Sequence, residues 1–130
     1  MAGEVVFEGM DKLARLLQVG GSNAEKATGK ALYQEATVMF NESQAEVPVM
    51  YGILKASGQV SLPMYEGHSV EVDIGYGGAA SEYALEVHEN LAAHHPHGKA
   101  KYLEDPVMRH VDSLLKRVAA RVDEAMRAST

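Results

Sequence analysis

The side chains best suited to chemistry in this 130-residue chain are its six histidines, four of which, His88, His94, His95 and His97, fall within residues 83–106. Neutral imidazole is a common ligand for zinc, copper and nickel. His88 and Glu89 begin like a metalloprotease box, in which two histidines one helical turn apart hold zinc and the glutamate between them activates water. The second ligand is missing, because Ala92 stands at its position. His94, His95 and His97 are grouped around Pro96, which works against a regular helix. Residues 90–101 therefore read as a projecting, solvated loop. A histidine-based metal-binding protein or metalloenzyme is the alternative.

Other constellations stop short of a site. Ser57 precedes Gly58, but a nucleophile elbow needs glycine two residues either side of the serine, and Lys55 and Gln59 stand there. Gly75, Gly77 and Gly78 could suggest a phosphate loop, yet no Lys-Ser or Lys-Thr completes it. Glu86 and Glu89 read as solvated carboxylates at a loop edge. Tyr51, Tyr76, Tyr83 and Tyr102 are scattered, and suit core or interface anchoring better than a base-stacking platform. The chain has no cysteine, which excludes disulfides, thiolate metal sites and thiol catalysis. No cofactor is expected, and the sequence reads as non-enzymatic.

Charge and hydropathy narrow the partners. A net charge of −6 argues against general DNA binding, which depends on clustered Lys and Arg. Lys116, Arg117, Arg121 and Arg127 are interleaved with Asp123 and Glu124, as on the wet face of a helix. No apolar run approaches the ~20 residues that span a bilayer. The N-terminus lacks a basic stretch followed by an apolar one, so neither a secretory leader nor a membrane partner is expected.

The elements that must position these residues are legible as patterns. Residues 4–8 suit a short strand. Met10, Leu13, Ala14 and Leu17 share one helical face, which Gly20 and Gly21 end. Ser22 and Glu25 have capping-box spacing and open a helix over residues 23–46. Its stripe is Leu32, Ala36, Met39 and Phe40, with Ala24, Ala27 and Ala31 allowing close approach of a neighbour. Pro48 ends it, and Gly52 suits a sharp turn. Val60, Leu62 and Met64 alternate with polar positions in an edge strand marked by Pro63. Val70, Val72, Ile74 and Tyr76 alternate in a half-buried strand, reached by a hairpin through Glu66, Gly67 and His68. Leu85, Val87 and Glu89 fit a third strand. Asp105 as N-cap and Pro106 at the first position open a last helix. Val107, Val111, Leu114, Leu115, Val118, Val122 and Met126 form its wide apolar face. The expectation is one α+β domain over residues 1–130, with a small, mainly antiparallel sheet packed by the long central helix and the C-terminal helix.

Several segments, in order, resemble a family of tailed-bacteriophage neck or tail-completion proteins. Phe7, Glu8, Gly9, Met10, Asp11 and Leu13 are similar to its opening Glu-Gly step into an apolar helix. Pro48, Gly52, Leu54, Lys55 and Ser57 resemble its central Val-Pro-x-x-x-Gly-x-Leu-Arg/Lys-x-Ser segment, with Met50 and Tyr51 where many members have Asp-Thr. Tyr83, Val87 and Glu89 resemble a Tyr-Ala-x-x-Val-x-Glu stretch. Gly98, Ala100, Lys101, Tyr102, Leu103 and Pro106 resemble the closing segment before the last helix. The resemblance implies a structural virion protein at the head–tail junction, forming a homo-oligomeric ring. Its implied neighbours are connector or head-completion proteins and the tail terminator or tail tube. DNA would pass through without specific binding, which the negative charge suits. The candidate assembly interface is His94, His95, His97, Lys99, Lys101 and Tyr102.

Overall fold

Gly21 breaks the long N-terminal helix at the point where the sequence asks for a stop. In the computed structural model, which describes residues 10–67, 69–77, 83–88, 94–96 and 101–128, helix α1 runs Met10–Glu46 with one non-helical residue, Gly21, at φ 55° and ψ −132°. Positive φ costs a side-chain-bearing residue steric strain that glycine avoids. The chain therefore turns there and resumes its helix, giving the two helical stretches the pattern predicts. Leu13 and Leu17 before the break, and Ala24, Ala31, Leu32, Ala36 and Met39 after it, are buried.

Beyond α1 come a 3-10 turn at Val49–Tyr51 and the short helix α2, Gly52–Ala56. Strand β1 is Gln59–Val60, β2 is Met64–Glu66, β3 is Ser69–Gly75, β4 is Tyr83–His88 and β5 is His94–Pro96, and helix α3 closes the described chain at Lys101–Ala128. The strands form one antiparallel sheet in the order β1-β3-β4-β5, with β2 also paired to β3. Helix α1 packs on both α3 and the sheet. The fold is α+β, as the patterning predicts. The expected strand at residues 4–8 lies outside the described residues.

The edge strand differs from its expected form. Val60 pairs with Ile74, but Met64 pairs with Glu71, so residues 61–63 stand opposite only Val72 and Asp73. One extra residue makes this a bulge, and a one-residue slip exchanges the faces of everything after it. The Ser61 hydroxyl holds the bulge: Ser61 N–H donates to the Asp73 carbonyl at 2.8 Å, and Asp73 N–H donates to Ser61 Oγ at 2.9 Å. Tyr65, paired with the buried Val70 and with its hydroxyl against Gly29 of α1, thus takes the face expected for Met64, although Leu62, Met64 and Tyr65 are all exposed. Hydrophobic alternation could not anticipate a side chain replacing a ladder carbonyl.

Helix α3 also begins earlier than expected. Asp105 and Pro106 are helical rather than cap and first turn, since the helix starts at Lys101. Proline lacks the N–H that would bond back to Tyr102, a loss of little consequence so near a helix start. Leu103, Pro106 and Val107 are all buried, which favours extending the helix backwards over them. Residues 90–101, expected as a loop, contain strand β5.

Gly58 and Gly52 make a contrasting pair. A Cβ on Gly58 would lie 2.6 Å from Gln44 Nε2 and 2.7 Å from ring carbons of both Phe40 and Tyr76. Gly52, where a sharp turn is expected, has ordinary helical backbone (φ −56°, ψ −39°) and open space around it. Gly58→Val is expected to cost about 1–3 kcal/mol by overpacking. Gly52→Ala should be neutral or stabilising by up to about 1 kcal/mol. Urea titrations of the two variants check the contrast.

Candidate functional site

Helices α1 and α3 lie antiparallel, as two ion pairs at opposite ends show: Lys12–Asp123 at 3.1 Å and Arg109–Glu46 at 2.5 Å. Between them runs a charged seam. Glu35, Glu42 and Glu46 recur on one face of α1. The Arg109 guanidinium donates to Glu42 and Glu46. His110 Nε2 lies 2.7 Å from Glu42 Oε2, while Arg117 Nη2 is 3.4 Å from His110 Nδ1. Arginine can only donate, so a ring carrying its proton on Nε2 satisfies both neighbours. Glu35 is buried, and it accepts from Arg117 Nε at 2.6 Å and from Arg121 Nε at 2.8 Å. Arg121 also donates to Gln34 Oε1 at 2.9 Å. The basic residues predicted for a wet face therefore include the two that neutralise a core carboxylate. The signal was the same-face spacing of acids on one helix and bases on the other.

The seam carries a pH dependence. The hydrogen bond from His110 is the largest influence on the Glu42 carboxyl and, with Arg109, holds it below its ordinary value near 4.5. A depressed carboxyl pKa gives stability that is present above the unfolded value and lost as pH falls through the folded one. The thermal midpoint should drop as pH falls below about 4.5, and more shallowly in Glu42→Gln. At the other extreme, burial, followed by the charges of Glu104 and Asp105, pushes the Tyr83 phenol up to about 12. That group withdraws stability as pH rises above its ordinary value of 10.

The central segment is anchored from inside and bare outside. Ser57 Oγ donates to the Leu54 carbonyl at 2.6 Å and accepts from Gly77 N–H at 2.7 Å. Both the serine and one amide of the glycine cluster are thereby engaged in holding α2 to the end of β3. Gln44 Nε2 donates to the Lys55 carbonyl at 3.0 Å. Tyr76 stacks on Phe40 at 5.8 Å, meets Tyr102 edge-on at 5.1 Å and shares a 2.8 Å hydrogen bond with the Ser43 hydroxyl. Outside this anchor, Val49, Met50, Tyr51 and Ile53 are 88, 81, 52 and 91 % exposed. Their run of large apolar residues, bounded by Pro48 and Gly58 and fitting neither helix nor strand period, is the sequence signal for a surface patch.

The six candidate interface residues are distributed differently. His94 and His95 lie in edge strand β5, at register positions opposite Leu85 and Ala84. Lys101 is exposed at the start of α3, whereas Tyr102 is half-buried against Tyr76 and contributes to the fold itself. His97 and Lys99 lie outside the described residues. Among the described residues, no three His, Asp or Glu side chains are grouped as a metal site requires, and no helix is long and apolar enough to cross a membrane. No family model, no curated protein and no solved structure matches the chain.

Proposed function

We propose that the protein is a non-enzymatic virion component of a tailed-bacteriophage neck, a tail-completion or head–tail joining protein. It forms a homo-oligomeric ring between connector or head-completion proteins and the tail terminator or tail tube, and DNA passes through without specific contact. The observation that carries this reading is how the central segment is used. The central stretch, which resembles the family at Pro48, Gly52, Leu54, Lys55 and Ser57, is fixed to the domain through Ser57 and Gln44, yet at the positions between it turns the large apolar side chains of Val49, Met50, Tyr51 and Ile53 to solvent. A contiguous exposed patch of that kind marks a surface for another protein. Ring symmetry suits a component that must contact a layer above and a layer below. The start of α3, where Lys101 is exposed, offers a second surface for such layers. A phage lacking the protein is expected to accumulate packaged heads beside unattached tails. Normal yields of intact virions would contradict the assignment.

A further inference from the structure

We infer that residues 10–20 form a strap that opens about Gly21 while the rest of the domain stays folded. The inference goes beyond the neck reading and does not depend on it. Non-helical backbone at Gly21 (φ 55°, ψ −132°) lets the two stretches of α1 reach the same end of α3. After the break, Ala31 and Gln34 share a groove with Arg121 and Glu124. Before it, Lys12, Leu16 and Val19 share a separate cleft of about 280 Å³ with Asp123 and Arg127. A Cβ on Gly21 would meet nothing within 4 Å, so the dihedrals alone call for glycine there.

The two stretches are held unequally. Among residues 11–20 only Leu13 and Leu17 are buried. In the Lys12–Asp123 pair the lysine is 53 % exposed, and exposed pairs contribute little. Asp123 also pairs with Arg127 on its own helix at 3.2 Å, so its carboxylate keeps a partner when the strap leaves. The cleft beside Leu16 and Val19 leaves part of the contact with α3 unfilled. Residues 22–46, in contrast, bury Ala24, Ala31, Leu32, Ala36 and Met39. Separating them would break both Glu35–arginine pairs and the buried Ser43–Tyr76 hydrogen bond. A segment with few buried contacts opens at a lower free energy than the core. So short a helix does not hold alone in water, and the released strap also loses its helical hydrogen bonds. Opening thereby uncovers Leu13 and Leu17, an apolar surface that the closed domain hides.

Hydrogen exchange of the full chain, read residue by residue near neutral pH, tests the strap. The first four amides of a helix have no partner within it, so residues 14–20 are the reporters. Their amides should exchange about tenfold or more faster than those of residues 31–43, at one shared rate that steps at Gly21. Val111→Ala weakens a part of the core that stays folded when the strap opens. It should speed exchange at residues 31–43 and leave residues 14–20 unchanged. Gly21→Ala strains the closed strap relative to the open one and should speed residues 14–20 by about tenfold. Equal acceleration of both segments by Val111→Ala would overturn the inference, because the strap would then open only with the whole domain. Rates that fall smoothly from Met10 towards Gly21 would reduce it to end fraying, and no response to Gly21→Ala would remove the hinge. Either result overturns it.

Discussion

Leu114→Asp is expected to abolish the folded state. Leu114 is buried near the middle of the α3 face that packs on α1, beside Val111, Leu115 and Val118. The change removes roughly 1.5–3 kcal/mol of apolar burial. It also asks a carboxylate to enter an apolar interface, which costs several kcal/mol more unless the site opens to water. Against a total stability of about 5–15 kcal/mol for an ordinary domain, that is decisive. Circular dichroism and a chemical-denaturation curve check it. A cooperative transition at the wild-type midpoint would contradict the placement of the α3 face.

The second large effect concerns Glu35. With Arg117→Met and Arg121→Met together, a buried carboxylate loses both of its neutralising partners. The expected loss is about 3–5 kcal/mol, the usual consequence of leaving a buried charge uncompensated. Adding Glu35→Met should restore most of the loss, because an ion pair replaced whole by apolar side chains is often neutral or stabilising. The same logic predicts that single arginine variants lose less, since the remaining guanidinium still reaches one carboxylate oxygen. If the triple variant is no more stable than the double, Glu35 is solvated and the seam has no buried member.

What the sequence made legible follows from strong periodicity. The apolar faces of α1 and α3 were readable because seven-residue spacing repeats over many turns, and Leu32, Met39, Leu114 and Val118 are buried where the pattern puts them. Strand β3 alternates cleanly and does so in the structure. The break at Gly21 was readable because glycine is suited to that backbone. Periodicity failed where a single side chain redirected the main chain. Ser61 replaced a ladder bond and shifted the edge register, which turned Met64 outward. The α3 boundary failed because burial of Leu103 and Pro106 outweighs the local preference of an Asp-Pro step. The candidate site was only partly legible. The patch at Val49–Ile53 overlaps the central segment that resembles the family, but the role expected for Gly52 was a turn, and its surroundings are open. The Glu35–Arg117–Arg121 cluster was missed because same-face spacing of acids on one helix and bases on another does not by itself say that the two faces meet.

The central claim is that this domain works by joining particles, and restoration in vitro tests it most directly. Packaged heads and free tails from a strain lacking the protein are mixed, with or without the purified chain, and infectious particles are counted. The expected result is recovery of infectious, tailed virions only when the chain is added, with Ile53→Asp protein inactive in the same assay. Heads and tails that join equally well without it would contradict the claim.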